Sequence, residues 1–541
     1  MSASSKKKLR NELEAAKLTE RQLAEQKEAK KTKLYTIGFV VVLVALIAIA
    51  VIVGVSQTLT NSGVREKNTT ALTVNGTDLS NADLNYFYID ELNAFYSENG
   101  SYAALFGLDV TLPLNKQVMD EETGETWADH FLSAAKSSAT AVYSVCDAAA
   151  EAGHTLSEEE LATVDSTMNT LGMDGTIYGY GDAEGYLKAM YGHGATEEGY
   201  RSYMEKCILA ESFQNVYAES LNFEDADLRA AEADNYNQYS SYTYNYYYLG
   251  STLFLEGGTT DENGNTTYSD EEKAASIVAA EEAANSLIAQ NITSVEELDA
   301  AIAALPINAD NDTASSTHFE DQPYNNLSAT IAEWLTESGR KEGDIACLKN
   351  SSTADDGTEN IYGYYIVYFG GSNDNNFALK NARHILVSFE GGTTDATGVT
   401  TYSDEEKAAA KAAAEEILAE YEAAPSESAF ATLATLRSTD TGSTENGGLY
   451  EDIYPGQMVT AFEEWCYDES RKAGDTGIVE TEYGYHVMYF VGDSDITYRD
   501  YKISNDLTVD AVSEWYTNIV NAATVTEGNP EYMSLDMVIG G

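Results

Sequence analysis

The stretch KNARHILVSFEGGTTDATGVTTYSDEEKAAAKAAAEEILAEY, residues 380–421, opens on a β-branched apolar run and ends in an Ala-rich segment of helical character. Part of it occurs earlier in the chain. Residues 256–275 read EGGTTDENGNTTYSDEEKAA and residues 390–409 read EGGTTDATGVTTYSDEEKAA, matching at 17 of 20 positions at an offset of 134. The later copy is introduced by RHILV, with His384, whereas YYLGSTLFL before the earlier copy holds no histidine.

The likeness extends beyond the matched block. AEWLTESGRKEGD from Ala332 answers EEWCYDESRKAGD from Glu464, and YGYYIVYF from Tyr362 answers YGYHVMYF from Tyr483. The offset falls along the way, so the second copy is the shorter between its ends. Units of this length are too long for solenoid repeats and read as duplicated domains. Each follows the order strand, helix, helix, strand, helix, strand, an α+β unit.

A chain of 541 residues has room for several such cores. Residues 1–33 carry ten Lys/Arg against five Asp/Glu, and LYTIGFVVVLVALIAIAVIVGV from Leu34 to Val55 is free of charge. That run is longer than a signal-peptide core and has the ~20 residues a transmembrane helix needs. Residues 34–56 are therefore expected to span the membrane, with the basic arm cytoplasmic and the rest outside. Of the chain's net charge of −58, the arm contributes +5, which leaves −63 on the exported part. Such a density excludes nucleic acid and anionic surfaces as partners. Four isolated cysteines make no disulfide framework, and six histidines with no i,i+4 pair give a metal site no support. No cofactor is expected.

After a polar linker over 57–70, ALTVNGTDLSNADLNYFYIDEL reads as a strand, an Asn75-Gly76 turn and a helix begun near Ser80. Helical signals then dominate to about residue 222, with Ser157 as the start of a capping box. The expected organisation is α+β multidomain. A helical domain occupies 71–235, the first α+β copy 236–374, the second 375–495, and a tail over 496–541 packs back on the helical domain, since SEWYTNIVNAATV has an apolar stripe and no domain of its own.

Five features follow one another in the second copy: ARHILV, RSTDTGSTENGGL, GQMVTAFEE, GDTGIVET and YGYHVMYF. Taken singly, each has a plain structural explanation. Together, in this order and spacing, they resemble the parvulin family of peptidyl-prolyl isomerases. With the helical domain, the degenerate first copy and the returning tail, the exported part resembles the SurA/PrsA-like extracytoplasmic foldases.

The resemblance implies that His384, Asp440 and His486 are catalytic and that Leu449, Met458 and Phe462 form the pocket for the proline ring. The loop after Leu449, YEDIYPGQM, reads as one residue longer than the family pattern. SFEGGTTD after His384 is acidic, so phosphorylated substrates are not expected. Aligned without gaps, Gly250 falls opposite His384 and Tyr365 opposite His486, and the first copy is expected to be non-catalytic. The expected partners are unfolded or partly folded exported polypeptides containing X-Pro bonds. The competing expectation is a non-catalytic envelope scaffold in which both copies merely bind.

Overall fold

The computed structural model describes residues 6–8, 58–311, 313–354, 356–395 and 397–539. The expected membrane span over 34–56 lies outside these residues. Among the described residues no helix is long and apolar enough to cross a membrane. The chain divides into two compact units, the first ending at Leu221 and resuming at Asp510, the second running from Asn222 to Val509.

In the first unit, β1 (Thr70–Val74) and β2 (Thr77–Ser80) form an antiparallel hairpin. Helices α1 (Asn81–Asn99), α2 (Trp127–Ala152), α3 (Glu158–Ile177), α4 (Ala183–Tyr191) and α5 (Glu197–Ser220) follow. Ser80, Thr126 and Ser157 each start a helix through a complete capping box, satisfying amides that the first turn leaves unpaired. Leu72, Val74, Leu84, Phe87, Tyr88 and Phe131 share one core.

The second unit holds two four-stranded antiparallel sheets of identical topology. The first is built from β3 (Ser241–Gly250), β4 (Thr317–Pro323), β5 (Ile345–Thr353) and β6 (Glu359–Asn373), in the order β4-β3-β6-β5. Its helices are α6 (Asp270–Ile288), α7 (Val295–Ala303) and α8 (Ala329–Leu335). The second has β7 (Ala378–Ser388), β8 (Leu449–Ile453), β9 (Thr476–Thr481) and β10 (Gly484–Thr497), in the order β8-β7-β10-β9. Its helices are α9 (Asp404–Glu422), α10 (Glu427–Arg437) and α11 (Thr460–Tyr467).

Strand side chains alternate between faces, and this sorts the second sheet cleanly. Ile385, Val387, Tyr485, Val487 and Tyr489 face α9 and α10, burying Ala414, Ile417, Phe430 and Leu433. Ala382 and Met488 face the other way, onto Phe462 and Cys466 of α11. His384 and His486 share the parity of Ala382 and Met488, so the pattern that builds the core also delivers both imidazoles to one face.

The chain continues through α12 (Tyr498–Ala522) to β11 (Val525–Glu527), which pairs antiparallel with β1 in the first unit. Met533 is buried in that unit's core. Nearby, the Asn81 side-chain amide donates to Asn529 O at 2.8 Å, and that of Asn85 to Ser534 Oγ at 2.9 Å. All four cysteines are free thiols.

Candidate active site

His384 lies opposite Met488, and His486 lies opposite Leu386, in the central β7–β10 pair. The two imidazoles are thus diagonal neighbours. Their rings stack at 5.1 Å between centroids, with the two Nδ1 atoms 2.9 Å apart. His384 Nε2 stands 2.7 Å from Asp440 Oδ2, and His486 Nε2 stands 2.9 Å from Thr481 Oγ1.

These contacts fix the protons when Asp440 is ionised. Asp440 can only accept, so His384 Nε2–H donates to it, and His384 Nδ1 must accept from His486 Nδ1–H. His486 Nε2 then accepts from the Thr481 hydroxyl, whose own oxygen accepts from the Tyr483 amide at 3.2 Å. Every polar atom of this chain has a partner while both histidines are neutral.

The electrostatics agree with that assignment. Burial lowers the pKa of His384 and outweighs the opposing pull of Asp440. Burial, reinforced by repulsion from His384, brings His486 down to about 4. For Asp440, burial pushes the carboxyl up, but hydrogen bonds from Ser443 and His384 more than offset it, and the net shift is downward. At neutral pH the site is an ionised carboxylate beneath two neutral imidazoles.

The loop carrying Asp440 is laced to the part of β7 that β8 leaves unpaired. Thr439 N donates to Leu386 O at 2.9 Å, and Leu386 N donates to Ser438 Oγ at 3.0 Å. Ser443, 1% exposed, donates to Asp440 Oδ2 at 2.5 Å, and Gly442 N donates to Oδ1 at 3.1 Å. Behind it, Gly447 and Gly448 turn with φ of 71° and 75°. A Cβ on Gly448 would meet His384 O at 2.2 Å, so only glycine lets the loop approach the strand. Arg383 clamps the turn from below, donating to Asn446 O at 2.8 Å and Gly447 O at 3.1 Å while pairing with Glu427.

The apolar part of the site is formed by Phe462 and Met458. The Phe462 ring meets both imidazoles edge-on, at 5.5 Å from His384 and 5.6 Å from His486. Leu449, expected as the third wall, is not in this cluster, and Tyr450 is. The reason is parity. Tyr450 pairs with Ala382, on the histidine side of the sheet, while Leu449 pairs with Arg383 and faces away.

Three residues joined to the network were not singled out from sequence: Ser443, Tyr450 and Thr481. Ser443 stands inside the stretch RSTDTGSTENGGL, three residues after Asp440. Thr481 precedes the turn into β10 and pairs with Gly484. Nothing in its local sequence marks it, because its partner is reached across that turn.

In the first sheet the counterpart of His384 differs from the expected Gly250. Tyr365 pairs with Tyr248 as His486 pairs with Leu386, and Val367 pairs with Tyr246 as Met488 pairs with His384. The position of His384 is therefore taken by Tyr246. Its ring meets Tyr365 in a T-shaped contact at 5.8 Å. Gly250 instead ends β3 and leads into a 3-10 turn, which accounts for the slip of four residues in a gapless alignment. Leu327 and Ile331 lie in the apolar cluster beside these tyrosines.

Residues 364–492 match the family described as the PPIC-type PPIASE domain. The second α+β domain is accordingly a parvulin-type peptidyl-prolyl isomerase domain. Curated relatives include foldase protein PrsA 1 of Listeria innocua, 44% identical over 62 residues, or 12% of this chain and 21% of the relative. Foldase protein PrsA 3 of Bacillus cereus is 35% identical over 100 residues, 17% of this chain and 35% of the relative. Among solved structures, a peptidylprolyl isomerase (PrsA) from Bacillus anthracis is similar with a TM-score of 0.18 and 22% identity, over 28% of this chain and 59% of that one. The matches to the two curated relatives span about a fifth and a third of their lengths.

Proposed function

We propose that the protein is a membrane-anchored extracytoplasmic foldase whose second α+β domain accelerates cis/trans isomerisation of X–Pro bonds in exported polypeptides. The observation that carries this reading is the continuous chain Thr481–His486–His384–Asp440 lying against the apolar wall of Phe462 and Met458.

Rotation about an X–Pro bond must cross a barrier of about 18–20 kcal/mol, because the amide loses its resonance on the way. No bond is broken and no cofactor is called for. A pocket that seats the prolyl ring on Phe462 and Met458 strips water from the preceding carbonyl. It thereby favours the twisted, less polar amide over either planar form. His384, His486 and Asp440 form the floor under the rotating bond, held in one protonation state by their mutual hydrogen bonds. Aspartate at 440 is no thiolate, so the floor acts through its field and not through covalent attack.

The first sheet, with Tyr246 and Tyr365 where the imidazoles would be, is proposed as a non-catalytic copy that spaces or holds clients. The helical unit, completed by the tail, is proposed as the chaperone module, and the apolar run at 34–55 as the anchor.

The test is exchange spectroscopy on X–Pro peptides with the exported part of the chain. Asp440→Ala and His486→Ala are each expected to cut the exchange rate at least tenfold in a folded protein. Residual activity, if any, should not depend on Tyr246 or Tyr365. Equal rates for the parent and both variants would refute the site and leave the domain as a binding module.

A further inference from the structure

Tyr450 occupies a position that the catalytic assignment does not use. It stands on β8 opposite Ala382, whose small side chain leaves its ring room on the histidine side of the sheet. The ring lies 5.3 Å from that of His384 and meets Phe462 edge-on at 6.5 Å. It therefore extends the apolar wall around the imidazoles. Its hydroxyl is 3.2 Å from Asp440 Oδ2, the same oxygen that receives His384 Nε2–H and the Ser443 hydroxyl. The groups facing the Asp440 carboxylate are thus His384 from β7, Ser443 and Gly442 from its own loop, and Tyr450 from β8.

We propose that Tyr450 is both a wall of the prolyl pocket and the positioning residue for Asp440. Its ring contacts the substrate's pyrrolidine, and its hydroxyl steers the carboxylate that orients His384. This rests on the isomerase reading of the site. An ionised carboxylate can only accept, so the phenol donates, and three donors converging on Oδ2 hold it in one place. Raised by burial and by the neighbouring carboxylate, the phenol remains protonated throughout the working range. An aliphatic side chain at this position would supply apolar contact but no hydrogen bond. The two duties are therefore separable by substitution.

Tyr450→Phe keeps the ring and deletes the donor, while Tyr450→Leu deletes both. Both are to be measured in the exported part of the chain, by peptide exchange kinetics and by carbon NMR titration of the Asp440 carboxyl. For Tyr450→Phe we expect KM within twofold of the parent, kcat lower by three- to tenfold, and Asp440 titrating at a higher pH because one hydrogen bond to its charged form is gone. For Tyr450→Leu we expect a further rise in KM of fivefold or more. An unchanged Asp440 titration and unchanged kcat in Tyr450→Phe would overturn the inference. A shifted Asp440 titration in a protein whose parent shows no isomerisation would keep the positioning role and refute the isomerase reading instead.

Discussion

Acidification from pH 6.5 to 4 should loosen the second α+β domain through its buried imidazoles. His486 is 5% exposed, and its pKa is brought down to about 4 from an ordinary 6.5, by burial first and by His384 second. Between those two values the unfolded chain binds a proton at this position that the folded chain refuses. Stability therefore falls as pH falls. At ~1.4 kcal/mol per pH unit, His486 contributes about 3 kcal/mol above pH 6.5, and that contribution is gone below about pH 4. His384 is displaced in the same direction but belongs to the same coupled pair, so its effect does not simply add. Asp440 is displaced downward as well, but its contribution is lost only as pH falls below its ordinary 3.8, outside this window. The suitable assay is hydrogen exchange of the core amides Ile385, Val487 and Met488, corrected for intrinsic rates, in the parent and in His486→Gln. About 3 kcal/mol corresponds to a loss of roughly two orders of magnitude in protection across the window. The slope should flatten in the variant. A His486 imidazole that titrates near 6.5 by NMR, or identical slopes in the two proteins, would refute the reasoning.

Two further outcomes follow from packing. Gly448→Ala should destabilise the second domain by at least about 2 kcal/mol, since the added Cβ meets both a positive φ and the His384 carbonyl. Hydrogen exchange should report the loss in β7 and β10 and leave the first unit unchanged. Deleting residues 525–541 should cost the first unit several kcal/mol. Buried Met533 accounts for about 1.5–3 kcal/mol, and the Asn81 and Asn85 side chains lose partners at ~1–3 kcal/mol for each group left unsatisfied. Unaltered protection of β1 in the truncated protein would show that the tail does not complete this core.

The imprint of the amino-acid sequence is strongest where structure is local. The helix start near Ser80, the capping box at Ser157, the alternation through RHILV and YGYHVMYF, and the glycines of NGGL each act over a few residues and could be read directly. The duplication was legible too, because 17 matches in 20 need no fold to be seen. His384, Asp440 and His486 could be named from the resemblance that the motif order carries; the sheet sets the two imidazoles together because their positions share one face of neighbouring strands, and the loop after α10 brings Asp440 to them.

What escaped depended on register between strands distant in the chain. Leu449 and Tyr450 are equally apolar candidates in one dimension, and only the pairing of Tyr450 with Ala382 decides which faces the imidazoles. Gly250 aligned with His384 until the first sheet's pairing put Tyr246 there. Thr481 is recognisable only once a turn folds it back onto His486. The strand at Val525–Glu527 acquires its meaning from β1, some 450 residues earlier. A shift of one residue along a strand exchanges its two faces, and the energy that sets that shift lies in partners the local sequence does not contain.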